Sequence, residues 1–170
     1  AKEIHLQLKM IIFIENLKNM SQLFTITETS RNLVSKILES HSLDQLNKIP
    51  EGFNNNMFWN IAHIVVTQQL LVYKLSGLPM MVSDEIIEKY KKGTKPEQDA
   101  TQADLDEIRS LLFVTIKKAK EDYDSGVFKN YQEYPTSTGF ILNNVEDALA
   151  FNNFHEGLHI GILMNLRKLV

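Results

Sequence analysis

The chain has 170 residues, enough for one domain with its own core and too few for two. It is 44% hydrophobic and 23% charged, with a formal net charge of -3 and both signs interspersed, which argues against a general electrostatic grip on nucleic acid. There is no cysteine, so disulfides, thiolate nucleophiles and sulfur ligands are excluded, and any metal must be held by His, Asp, Glu or backbone.

The N-terminal stretch KEIHLQLKMIIFIENLKNM has an apolar centre at residues 10–14, shorter than a secretory h-region, followed at once by Glu15 and without a small-residue cleavage site. It is not read as a targeting signal, and with the missing cysteines a cytoplasmic location is expected. No run approaches the ~20 apolar residues that span a bilayer. Ile4, Leu6, Leu8 and Met10 alternate as in a strand, whereas residues 10–17 fit a helix. Residues 1–20 are therefore expected to extend the first helix or to pack as an arm ahead of a bundle over 21–170. Met20 offers an alternative start, with 1–19 as an upstream extension.

Leu23, Ile26, Ser30, Leu33, Ile37 and Leu38 recur at helical spacing and predict an amphipathic helix over 21–41. A capped turn follows at Ser42, and Pro50 and Gly52 close it. Asn54, Asn55 and Asn56 are good N-caps for MFWNIAHIVVTQQLLVYKLSG, which predicts a second, well-buried helix over 56–76. Ser83, the acidic pair after it and the lysines before Gly93 predict a short surface helix. Thr101 with Asp104 approximates a capping box opening a third long helix that ends at Gly126. The aromatic segment VFKNYQEYPTSTGFILNN, broken by Pro135 and Gly139, reads as a packed loop. Asn144 with Asp147 caps a fourth helix expected to run to the C-terminus, with Arg167 and Lys168 in its last turn. Four long helices with short or irregular links make an all-α four-helix bundle.

The last helix carries HEGLH at 155–159, the H-E-x-x-H string of zinc proteases. Those enzymes complete the site with a downstream ligand and set the motif helix beside a sheet. Here the positions for a metzincin's Gly and third His are Ile162 and Asn165, and no multi-strand sheet is expected, so a protease is rejected. His155 and His159, four apart, share one helix face with Ala148, Phe151, Leu158 and Ile162, which is expected to point inward. Buried imidazoles need partners. His63, midway along the second helix on an apolar face, supplies one, and three neutral imidazoles from two packed helices can enclose a metal with a position open.

His5, in the N-terminal stretch, and His41, near a helix end, are set aside as ordinary solvated imidazoles. Glu156 is turned about 100° from His155. A surface pairing, a hydrogen bond to a neighbouring helix, general-base work and a fourth-ligand role, the last shared with Asn152, all stay open for it. Gly157 is unfavourable in a helix, and close approach of another helix would account for it.

NNNMFWNIAHIVVTQQLL, with Trp59 four before His63, and FNNFHEGLHIGILMNLRKL, led in by TSTGFILNNVEDALA, together resemble the DinB-like family of metal-binding four-helix proteins, which includes bacillithiol and mycothiol S-transferases. The resemblance covers residues 21–169 and implies a DinB-like bundle whose His triad, His63, His155 and His159, carries a divalent ion, zinc or nickel foremost, commonly in a homodimer. Many members read H-x-G-Q after the second histidine of the last helix. Here the run is His159, Ile160, Gly161, Ile162, which removes a polar group near the site.

The expected function is a metal-dependent thiol S-transferase, with a low-molecular-weight thiol and an electrophilic small molecule as partners and neither nucleic acid nor membrane. Candidates to line the substrate pocket are Asn60 and Thr67, either side of His63, with Trp59, Phe151 and Asn152. A hydrolase using the same metal is the enzymatic variant. A non-catalytic metal-binding bundle, acting as a small-molecule sensor or interaction protein, is the reading from another class.

Overall fold

The computed structural model describes residues 2–170; within the first 17, the side chains described are those of residues 7, 9–12 and 15. His5 lies outside the described side chains. Helix α1 spans Lys2–Glu39, so residues 2–20 are continuous with the first helix. After α2 (Leu43–Asn47) comes α3 (Met57–Gln68), which continues into a π-helical turn over Gln69–Lys74. Then follow α4 (Asp84–Tyr90), α5 (Gln102–Asp124), two-residue strands β1 (Tyr134–Pro135) and β2 (Ile141–Leu142), and α6 (Val145–Leu166).

The caps follow the sequence. Asn56, Ser83 and Asn144 each accept a backbone N–H of the first turn, and Ser42/Gln45 and Thr101/Asp104 form reciprocal capping boxes. The packed loop contains a short antiparallel ladder, Tyr134 opposite Leu142. Helix α6 stops one turn early: Arg167 is its C-cap, and Lys168 N–H turns back to the Asn165 carbonyl.

Helix α1 packs on α5 and α6, and α3 packs on the same two, so α1 and α3 are diagonal. Thr27 meets Asn153 and Arg31 meets Glu156, so α1 and α6 run parallel. Asn60 meets His159 while His63 meets His155, so α3 and α6 run antiparallel. One apolar cluster gathers Val34 and Leu38, residues 61, 62 and 64–66, Leu112, Leu163 and Leu166. A second holds Met20, Phe24, Leu71, Val72, Ile116, Ala148 and Leu149.

Between these clusters along every long helix lie buried polar side chains: Thr27 and Arg31 on α1, Gln68 on α3, Thr115 on α5, and Asn152 and Glu156 on α6. Arg31 and Glu156 are both fully buried. The guanidinium donates to Glu156 at 3.0 Å and 3.1 Å from Nε and 2.8 Å from Nη2. It also reaches the carbonyls of Leu112 at 3.5 Å and Ile64 at 3.4 Å. One side chain of α1 thereby touches each of the other long helices.

This layer corrects the reading of α1. Ile26 and Leu33, expected inward, are 50% and 47% exposed, while Phe24, Thr27, Arg31, Val34 and Leu38 are buried. The inward stripe includes an arginine, which apolar periodicity does not mark. The expectation for Gly157 is also corrected: it is exposed, and a Cβ there would meet nothing within 4 Å, so no close helix accounts for it.

Breaking a buried ion pair strands a charge, at a cost of about 3–5 kcal/mol. Arg31→Met or Glu156→Gln should lose about that much in urea unfolding, and Arg31→Met with Glu156→Leu should recover most of it. Single variants as stable as the parent would show that the pair does not hold the bundle.

Candidate metal centre and adjoining cavity

The rotation of α6 set by Glu156 turns His155 and His159 toward α3. His63, His155 and His159 then come together, with one potential ligand atom from each lying within 4.8 Å of the others. Their ring centroids are 5.1 Å (63 to 155), 4.8 Å (63 to 159) and 4.5 Å (155 to 159) apart.

Two of the three rings have their proton fixed by an acceptor. His63 Nδ1–H donates to the Tyr90 carbonyl at 2.6 Å, since a carbonyl only accepts. Asn60 Nδ2 donates to the Asn56 carbonyl at 2.7 Å, which leaves its Oδ1 to accept from His159 Nδ1–H at 2.8 Å. The Nε2 lone pair is thereby presented on both rings, and that of His63 accepts from the Thr67 hydroxyl at 3.3 Å. His155 Nδ1 is buried with no hydrogen-bond partner. Trp59 stacks on the His63 ring with centroids 4.6 Å apart and donates its indole N–H to Thr94 at 3.1 Å.

The electrostatics agree with a cation site. Burial lowers the pKa of all three imidazoles: to about 3 for His155, where His159, His63 and Arg31 add repulsion, and to about 4 for His159, where His63 adds it. His63 is lowered as well, with its bond to Tyr90 opposing part of the effect. Near neutral pH these are neutral rings whose lone pairs converge in a partly dry site. That arrangement, with an orphaned nitrogen on His155, fits a divalent ion of the zinc, nickel or cobalt type. Glu156 is outside the group, its carboxylate held by Arg31 and by Asn152 Nδ2 at 2.8 Å. It makes the interhelical hydrogen bond that the sequence left open, and no surface pairing. His41 ends α1 with Nδ1 2.7 Å from the Ile37 carbonyl, away from the site.

A cavity of about 310 Å³ opens beside His63 and His155. The π-helical turn brings Leu70, Leu71 and Lys74 into its wall, α6 contributes Phe151, Phe154 and Leu158, and the β1–β2 turn adds residues 136–138. Thr67 and Phe151 therefore line it as the sequence places them, whereas Trp59, Asn60 and Asn152 do not. Trp59 and Asn60 lie behind the imidazoles as stacking and hydrogen-bond partners, and Asn152 lies in the buried layer beside Glu156. Leu158, expected to face inward, is 50% exposed at the cavity. Lys74, Lys92 and the 136–138 turn were missed because they are remote from the histidines in sequence and only the fold assembles them.

Fold and site together define a four-helix bundle, its first and last long helices parallel, carrying an inward imidazole triad beside a small cavity. The chain belongs to the DinB superfamily, whose sequence pattern matches residues 26–163. A crystal structure of a conserved protein from Enterococcus faecalis is similar over 88% of this chain and 95% of that one, with a TM-score of 0.62. At 12% identity that likeness shows the fold alone. Among curated proteins none matches the sequence. Among the described residues no helix is long and apolar enough to cross a membrane.

Because the two α6 imidazoles have folded pKa values below the usual 6.5, the unfolded chain takes up protons first as pH falls. Stability of the metal-free protein should be full above pH 6.5 and decline toward pH 4, by roughly 5 °C in Tm per pH unit. A His155→Gln/His159→Gln variant should show a flatter profile, and identical slopes would refute the burial of neutral rings. Asn60→Ala leaves every ligand in place but frees the His159 ring. Metal affinity measured by competition with a chelator should fall 10–100-fold, and unchanged affinity would deny Asn60 an orienting role.

Proposed function

We propose that the chain is a metal-dependent thiol S-transferase, joining a low-molecular-weight thiol to an electrophilic small molecule, with the divalent ion held by His63, His155 and His159. The observation that carries this reading is the cavity open to His63 and His155, beside neutral imidazoles with lone pairs to give. Membership in a superfamily of metal-binding proteins supports the ion. A divalent ion on three neutral ligands keeps its charge and lowers the pKa of a thiol beside it.

The chain's own residues do the rest. Tyr90 and Asn60 hold the His63 and His159 rings in the tautomer that presents Nε2. Thr67 offers a hydroxyl at His63, and Leu70, Phe151 and Phe154 give an apolar electrophile an apolar wall. With no cysteine in the chain, the nucleophilic sulfur comes from a cosubstrate. Glu156, locked by Arg31, is neither the general base nor a fourth ligand in this reading, and the group of three ligands without a fourth among the described residues favours an enzyme over a structural metal bundle. We place the enzyme in the cytoplasm, and as a homodimer, the latter favoured by exposed Ile26 and Leu33 two turns apart on α1.

Elemental analysis of purified protein should find about one divalent ion per chain, lost in His63→Ala and His159→Ala. The loaded protein should consume monobromobimane only when a small thiol is supplied. Stoichiometric metal retained in both variants would sink the triad; a folded, loaded protein without thiol-dependent turnover would sink the transferase.

A further inference from the structure

Two cavities among the described residues of this bundle are opposite in charge. The one between α3, α4 and the start of α5, about 430 Å³, is lined by five carboxylates, Glu85, Glu88, Glu97, Asp99 and Asp104, against Lys89 and Lys95. The 310 Å³ cavity beside the imidazoles is lined by Lys74 and Lys92 and by no carboxylate at all. In a chain with 21 acidic and 18 basic residues, that wall is the exception.

Its two lysines come from separate elements, Lys74 from the π-helical turn and Lys92 from the segment after α4. Neither is engaged by a carboxylate among the described residues, whereas Lys89, Lys91, Lys118 and Lys120 each are. The 136–138 turn adds three hydroxyls to the same wall, and Thr67 a fourth. Thr136 already donates to the Phe140 carbonyl, Thr138 to Thr136 Oγ1 and Thr67 to His63 Nε2, which leaves the Ser137 hydroxyl and the two ammonium groups as the donors free for a ligand. Apart from His63, His155 and Tyr134 the remaining lining is apolar: Phe151 and Phe154, both packed against Phe140, with Leu70, Leu71, Leu75 and Leu158.

We propose that this cavity selects a small amphiphilic anion: an apolar body against Phe151, Phe154 and Leu158, and a carboxylate, sulfonate or phosphate held by Lys74, Lys92 and the Ser137 hydroxyl. The proposal rests on the cavity being the substrate site, and it names the class of molecule that site takes. The volume, near the lower end of ligand pockets, suits a compact molecule and excludes a peptide.

The test is equilibrium binding of 4-phenylbutyrate and its neutral amide to the metal-loaded protein by calorimetry, without thiol and without turnover. The carboxylate should bind about tenfold more tightly than the amide. Lys74→Met/Lys92→Met should reduce that preference to less than about twofold with amide affinity kept, and added salt should weaken only the carboxylate. Lys48→Met/Lys168→Met, away from the cavity, should leave the preference intact. Equal affinities, no binding of either compound, or a preference that survives the cavity variant would overturn the proposal. So would a preference lost in His155→Ala but kept in the lysine variant, which would put the carboxylate at the imidazoles. Because no thiol is present, a failed transferase assay leaves this result standing, and a failed preference leaves the transferase assay standing.

Discussion

The bundle depends on one buried ion pair. Arg31 and Glu156 bring opposite charges into a site with no measurable exposure. Either charge alone in that position would be strongly unfavourable, so α1 and α6 are held in the register that joins them. The guanidinium spends its remaining donors on the carbonyls of Ile64 and Leu112, which ties α3 and α5 to the same point. An apolar core would tolerate small rotations of α6, because one methyl contact replaces another. A carboxylate with fixed donors does not. Since His155 lies about 100° and His159 about 60° around α6 from Glu156, fixing Glu156 fixes where both imidazoles point.

That coupling explains which parts of the molecule were legible in the sequence. Helix positions followed from caps and breakers, because Asn56, Thr101 and Asn144 act locally and their signals lie within a few residues. The triad was legible because i, i+4 spacing on one helix and an inward histidine on another are both properties of a helical face. The Arg31 layer was not. An arginine amid Ser30 and Asn32 reads as solvated surface, and the apolar periodicity selected Ile26 and Leu33, which are exposed. Glu156 was left ambiguous for the same reason: its partner is 125 residues away. Only tertiary packing distinguishes a buried pair from two surface charges.

The cavity lay further out of reach because it is built from pieces with no common pattern. A π-helical turn, the segment after α4, a hairpin turn and one face of α6 meet there. Sequence reasoning drew its pocket around His63 and so gathered Trp59 and Asn60, which stand behind the rings. Helical neighbours of a ligand at i−4 and i−3 are adjacent to it along the helix, but they support it as readily as they face its substrate. Trp59 and Asn60 do the former, by stacking and by accepting the His159 proton.

The arrangement gives the site two unlike sides. Ligand nitrogens need fixed orientation and low solvation, which the Tyr90 carbonyl, Asn60 and the Arg31 layer provide from the core side. The other side is open, a cavity walled by loop residues, by a helix turn and by one face of α6. HEGLH reflects this division within five residues: Glu156 faces the core and fixes the helix, His155 and His159 face the site, and Leu158 lies at the cavity's exposed edge. In a zinc protease the same letters place the glutamate at the reacting centre. Here an arginine on another helix occupies that carboxylate, so the shared string carries a different division of labour, set by Arg31 and not by the motif.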